Sequence, residues 1–219
     1  MAEALVDNDV LLKSCRYGID RDFVDLLVDV GLAPLILPVA RYVVGTRLRR
    51  DCAGREAEGP LAAFDRAMTT WTFAEPDASE IAMAAAFEAE AQHCNLELDV
   101  GESQLLAILI ARGCRAMLTG DKRAIRAIEI LAGAAVPGRL ACLEQIMSGL
   151  AEKLGLDVLR ARVCGEPAVD RALTNCFACR SPSVDPASFA DGLRSYMADV
   201  RRAAPRVLLG SENLSDLVT

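Results

Sequence analysis

The chain has 219 residues, with 24 Lys+Arg against 31 Asp+Glu and a formal charge of −7, which excludes a protein coated in basic charge. Hydrophobic residues make up 53% and charged residues 25%, too apolar and too mixed in sign for a disordered chain. Aromatics are only 5% while Ala and Leu abound, a mixture that favours helices, leaves room for a small sheet and disfavours an all-β sandwich.

In chain order, residues 3–7 (EALVD) read as a short buried strand, followed by helices over 10–17 and 21–30, the second with Phe23, Leu26, Leu27 and Val30 on one face. Residues 34–38 (PLILP) predict a second strand whose bounding prolines limit its pairing. Helical patterns follow at 39–50, 61–69 and 79–93. Next come a short extended segment at 96–99 (LELD), a helix over 102–112, a strand over 115–119 and a helix over 122–131. This alternation predicts an α/β fold with a parallel sheet and crossover helices. Beyond Pro137 the strand-like runs stop and amphipathic helices take over at 140–154, 168–174 and 188–203, with a proline-bearing loop at 180–188. The expected organisation is an α/β domain over 1–136 and a helical extension over 137–219. Leu140, Leu143, Ile146, Met147 and Leu150 form a stripe in that extension which has to be buried.

No apolar run approaches the ~20 residues that span a bilayer. The first ten residues carry acids where a secretory signal would carry bases. The expectation is a cytoplasmic protein with no membrane association, whose eight cysteines are reduced. Cys15, Cys52, Cys94, Cys114 and Cys142 read as small core residues. Cys164, Cys176 and Cys179 supply three thiols but no fourth zinc ligand, and His93 is remote in sequence, so a loop or core pair is preferred to a metal site.

Three acids stand at equivalent strand-to-helix transitions: Asp7 after the first strand, Glu102 at the opening of a helix, and Asp121 after the strand RAMLT and Gly120. In an open parallel sheet the functional crevice lies outside the carboxyl ends of the strands, so these carboxylates are placed to converge. Acids that close repel one another unless they protonate or share a cation. Oxygen ligands suit Mg²⁺ or Mn²⁺, and such a metal can activate water for attack on a phosphodiester. Taken singly, each acid also reads as a helix cap or a helix-dipole partner.

Three blocks, ALVDNDVLLK (4–13), LDVGESQLLAILIARG (98–113) and MLTGDKRAIRAI (117–128), together resemble the PIN-domain family. The resemblance implies a three-layer fold, with a small parallel sheet flanked by helices, and metal-dependent RNA cleavage. By position it makes Asp7, Glu102 and Asp121 the catalytic, metal-binding acids, with Asp9 and Asp99 as accessory ligands and Mg²⁺ or Mn²⁺ as cofactor. It implies an RNA substrate, a possible toxin role with an antitoxin partner, and self-association.

Family members usually carry another acid on the helix after the second strand. Here that stretch, PVARYVVGTRLRR, has none before Asp51; Asp51, Glu56 and Glu80 are the substitutes. The missing acid also admits a non-catalytic PIN-like binding or assembly module. Asn8 is placed to orient the neighbouring carboxylate or to cap a helix. Arg41, Arg47, Arg49, Arg50, Lys122, Arg123 and Arg126 could contact phosphates or simply solvate helix surfaces. DND and GDK are also similar to haloacid-dehalogenase-like phosphatases, which the GES block fits poorly. Neither G-x-S-x-G, G-x-G-x-x-G nor a P-loop occurs.

Overall fold

The computed structural model describes residues 1–52 and 58–218. The first half runs β1 (Ala2–Val6), α1 (Asn8–Arg16), α2 (Asp20–Asp29), β2 (Leu32–Ile36), α3 (Ala40–Asp51), α4 (Glu58–Thr70), β3 (Thr72–Phe73), α5 (Ala78–His93), α6 (Val100–Arg112), β4 (Ala116–Thr119) and α7 (Lys122–Ala132). β5 (Leu140–Cys142), α8 (Leu143–Leu154), α9 (Leu156–Gly165), α10 (Arg171–Cys176) and α11 (Pro186–Ala203) complete the regular elements, followed by a 3₁₀ turn at Ser215–Leu217.

The five strands form one sheet in the order β3-β2-β1-β4-β5, and every pairing is parallel. The protein is therefore α/β, a parallel sheet flanked by helices. β1 is central, and Ala4, Leu5 and Val6 are all buried, as expected of a strand covered on both faces. From β1 the chain lays down β2 and β3 on one side and then returns to place β4 and β5 on the other. A crossover of one hand applied in two opposite directions puts helices on both faces of the sheet. It also opens a crevice at the carboxyl ends of β1 and β4, where the order reverses.

The strand register fixes what faces that crevice. Leu5 pairs with Met117 and Val6 with Leu118, so Asp7, just beyond β1, stands beside Thr119, the last residue of β4. Asp7 is extended and caps α1, its carboxylate accepting from the Asn8 N–H at 2.6 Å. Asp121 caps α7 in the same way, accepting from the Arg123 N–H at 2.7 Å. α6 starts in a capping box between Asp99 and Glu102 and ends at Gly113, whose φ of +67° suits a residue without a Cβ.

Several elements differ from the sequence expectation. The third strand is the two-residue β3, too short to show any alternation, whereas 96–98 is irregular and leads into the cap at Asp99. The pattern at 140–154 is a strand followed by a helix: the apolar run Leu140–Cys142 pairs with β4 before α8 begins. The sheet thus continues beyond residue 136. One core joins its strands to α8, α10 and α11, with Leu5, Leu140, Ile146, Phe177 and Leu193 all within it. The stripe Leu140, Leu143, Ile146, Met147 and Leu150 is buried. α9 has no counterpart in the sequence expectation, and the helix expected at 168–174 is displaced to α10, because Asp170 supplies the cap at Leu173.

The outer edge of β5 is covered by a later stretch of chain. The Leu140 N–H donates to Val207 O at 2.9 Å, and the Leu209 N–H donates to Leu140 O at 2.8 Å. Buried Gln145 holds the same stretch, its amide donating to Leu209 O at 3.2 Å and Ser211 O at 2.7 Å. An edge so covered cannot pair with another chain.

The cysteines require two corrections. Cys164 and Cys179 form a disulfide across a separation of 15 residues, so not all eight thiols are free, and Cys94 is exposed at the end of α5 instead of sitting in the core. Cys15, Cys52, Cys114, Cys142 and Cys176 are free and buried.

Candidate functional site

Asp7 is 6% exposed and forms no ion pair among the described residues. Burial pushes its carboxyl up to about 6; the Thr119 hydroxyl, donating at 3.0 Å, opposes this, while the charges of Asp9 and Asp99 add to it. The Thr119 hydroxyl also accepts from the Asp121 N–H at 3.1 Å. One hydroxyl therefore ties the ends of β1 and β4 together.

Glu102 lies on the neighbouring helix and is 4% exposed. Its carboxylate accepts from the Asp99 N–H at 2.9 Å, and Asp99 accepts from the Glu102 N–H at 2.8 Å. Burial pushes Glu102 up to about 8, the Asp99 N–H resists, and the charges of Asp99, Asp7 and Asp121 raise it further. The Asn8 amide lies beside Gly101 at the start of α6, so α1 and α6 meet where these acids gather. The structure thus brings Asp7, Asp99 and Glu102 into one electrostatically coupled group at the β1/β4 crevice.

Asp121 reaches the same edge but is engaged. Arg123 donates to one of its oxygens from Nε at 3.2 Å and to the other from Nη2 at 2.8 Å, and also pairs with Glu97 at 2.5 Å. Burial would raise the Asp121 carboxyl, but these bonds hold it below its ordinary value. Asp9 is turned toward α10: Lys13 pairs with Asp9 at 2.6 Å and with Asp170 at 2.7 Å. Burial alone would lower the Lys13 ammonium; the two carboxylates reverse the effect and hold it above the usual value. A Cβ at Gly120 would overlap Asp9 Oδ2, so a larger residue there would have to displace the Asp9 carboxylate from its place beside Lys13.

Next to these residues is a cavity of about 360 Å³, lined by Asp9, Asp121, Lys122, Arg123, Glu144 and Asp170 among others. Glu144, 2% exposed, pairs with Lys122 at 2.5 Å through Oε1 while Oε2 has no hydrogen-bond partner among the described residues. Lys122 also rests 4.4 Å over the Tyr196 ring. Sequence reasoning missed Thr119, Lys13, Glu144 and Asp170. Thr119 and Lys13 stand inside the matching blocks and could have been found from strand register and from i,i+4 spacing to Asp9. Glu144 and Asp170 come from beyond residue 136, and no local signal marks them.

The other candidates lie elsewhere. Glu80 completes a capping box with Asp77 and pairs with Arg112 at 2.7 Å, a structural role. Asp51 pairs with Arg16, Arg47 and Arg50 at the far end of α3, and Glu56 lies outside the described residues. Arg41 stacks 4.7 Å over Phe73, and Arg126 pairs with Asp199 at 2.5 Å. His93 is exposed at the end of α5.

Among the described residues no three His, Cys, Asp or Glu side chains form a group that could hold a metal ion. Asp7 and Glu102 do fit a hard divalent cation in their chemistry: both are buried oxygen donors, and neither has a Lys or Arg ion-pair partner among the described residues. Both Asp121 oxygens accept from Arg123. Compared with protein-family models, curated proteins and solved structures, the chain matches none.

Proposed function

We propose that the protein is a PIN-like ribonuclease that uses Mg²⁺ or Mn²⁺ to hydrolyse RNA phosphodiester bonds at the β1/β4 edge. The observation that carries this reading is the pair Asp7 and Glu102. Two buried carboxylates, pushed up to about 6 and about 8, sit at the strand-order reversal without a cationic partner among the described residues. Burying two carboxyls together costs free energy and favours their protonated forms, and carboxyls shifted in this way cluster at functional sites. Asp7 and Glu102 would hold the ion, with Asp99 beside them and Asp121 as a further ligand. When bound, the ion would supply charge for the phosphodiester transition state and a more acidic water. Thr119 orients Asp7, and the Asp99 backbone orients Glu102. The toxin role, the antitoxin partner, self-association and a cytoplasmic location belong to the same reading and rest on the sequence alone.

One observation favours the second reading, a non-catalytic binding or assembly module: Asp121 is held on both oxygens by Arg123. Thermal melts with and without Mn²⁺, together with cleavage of a single-stranded RNA, separate the two. A saturating ion at a hundredfold excess over Kd adds about 2.7 kcal/mol. We expect that gain in the wild type and its loss, with loss of cleavage, in Asp7→Asn and Glu102→Gln. A wild type that neither responds to Mn²⁺ nor cleaves RNA assigns the fold to the binding module.

A further inference from the structure

On the far side of the segment that carries Asp170 is a larger cavity, of about 700 Å³, lined by Pro167, Ala168, Arg171, Thr174, Asn175 and Arg180, with Cys179 in its wall. No acid is among these residues. Neither Arg171 nor Arg180 has an ion pair or side-chain hydrogen bond among the described residues, and both are exposed. In a chain of net charge −7, two unpaired guanidinium groups on one cavity are a local positive site. The neighbouring 360 Å³ cavity differs, because each of its cations is matched by a carboxylate.

The wall that carries Arg180 is fixed. Cys179 is bonded to Cys164 of α9. Arg160 of the same helix donates to Phe177 O at 3.0 Å, Ala178 O at 3.2 Å and Ser181 O at 2.5 Å. Ala178 is held at φ +45°, a left-handed conformation that a non-glycine residue adopts only when its surroundings impose it. On the opposite wall the Thr174 hydroxyl shares its single proton between Pro167 O and Asp170 O, at 2.8 and 2.7 Å. A site held this way loses little entropy on taking up a ligand. Planar guanidinium groups match phosphate oxygens through paired hydrogen bonds, and the volume is that of a ligand larger than one phosphate.

We propose that the Arg171–Arg180 cavity binds a phosphate group, and specifically a backbone phosphate of an RNA strand that also reaches the Asp7–Glu102 edge. The connection is covalent and short: Asp170 lines the first cavity and pairs with Lys13, and the next residue, Arg171, lines the second. The RNA assignment rests on the ribonuclease reading; the phosphate site does not.

The test measures binding of a fluorescent single-stranded RNA to the full, oxidised chain by anisotropy in EDTA, where cleavage cannot intervene, over a series of salt concentrations. Binding of inorganic phosphate and ATP is measured by calorimetry in parallel. Arg171→Ala with Arg180→Ala should weaken RNA binding by about tenfold or more and reduce the salt slope by ~0.7 for each phosphate that is no longer neutralised. Arg171→Lys with Arg180→Lys should keep most of the slope, and Arg202→Ala, on an exposed helix end, should change nothing. Arg180→Ala alone, outside any helix, serves if the double variant melts early. Loss of ATP or phosphate binding with RNA binding unchanged keeps the phosphate site and replaces the RNA strand by a free phosphate ligand. Unchanged binding of all three probes in the alanine variants overturns the proposal. Arginine-dependent RNA binding without Mn²⁺-dependent cleavage instead removes the ribonuclease reading and leaves the site.

Discussion

The Thr119 hydroxyl donates to the Asp7 carboxylate at 3.0 Å across the ends of two adjacent parallel strands. It is the interaction that most opposes the effect of burial on that acid. Thr119→Val keeps the shape and removes the donor. We expect Asp7 to titrate above about 6 in this variant, by carbon-detected NMR of the carboxyl, and stability to fall by roughly 1–2 kcal/mol. An unshifted Asp7 titration would show that the bond has no influence on the acid.

Stability should depend on pH in a way that identifies the two buried acids. A carboxyl with a raised folded-state value binds its proton more tightly in the folded than in the unfolded chain. Its contribution is full below the unfolded value and is lost as pH rises through the folded one. For Asp7 that loss runs from about 3.8 to about 6, and for Glu102 from about 4.5 to about 8. Asp7→Asn should therefore become relatively more stable than wild type between about pH 4 and 7 in EDTA, by roughly 3 kcal/mol at most. Glu102→Gln should do so over a window that extends to higher pH. Parallel denaturation curves for wild type and variants across this range would show that neither carboxyl is raised in the folded chain.

The first half of the fold was legible because its signals are local. Asp7, Asp99 and Asp121 each cap a helix directly after an extended or irregular stretch, which is also what places them at one edge. β3 was not legible, being two residues whose extended state depends on β2 beside them. β5 was hidden because Leu140–Cys142 continues the apolar spacing of α8, and only pairing with β4 makes it a strand. The engagement of Asp121 by Arg123 was not legible, because an i,i+2 spacing does not by itself bring two side chains together. Nor was the Asp9–Lys13–Asp170 bridge, since it joins residues from α1 and the α10 cap that share no sequence signal.

Releasing Asp121 should strengthen metal binding under the ribonuclease reading. Arg123→Gln leaves the N-cap bond from the Arg123 backbone position available and removes the guanidinium. We expect Mn²⁺ affinity to rise on the order of tenfold as a third carboxylate becomes free, since affinity follows ligand charge. Calorimetry showing equal affinity would mean that Asp121 is not a ligand.

Removing residues after Val136 deletes β5 and exposes the β4 edge together with the core faces that Leu140, Ile146 and Leu150 cover. Such a chain should aggregate or fail to melt cooperatively. A soluble monomer with an unchanged melting temperature in light-scattering and calorimetric measurements would contradict the single core.

Thiol counting tests the covalent link. Under denaturing, non-reducing conditions the protein should show six reactive thiols, those of the free cysteines, and eight after reduction. Cys179→Ser should cost about 3 kcal/mol by the chain-entropy estimate for a loop of about 15 residues. Eight thiols without reductant would mean that the bridge is absent in solution.

The cover on the outer edge of β5 has a consequence for synthesis. Gln145 is translated 64 residues before Leu209, the carbonyl it holds. Between the emergence of Leu140–Cys142 from the exit tunnel and that of residues 207–211, the outer edge of β5 presents bare amides and carbonyls to its surroundings, a template for any other extended chain. The nascent protein is therefore most exposed to mispairing after its sheet has five strands but before residues 207–211 have cleared the exit tunnel. Slow translation over that interval would lengthen the hazard, and a chaperone that binds extended segments would act there.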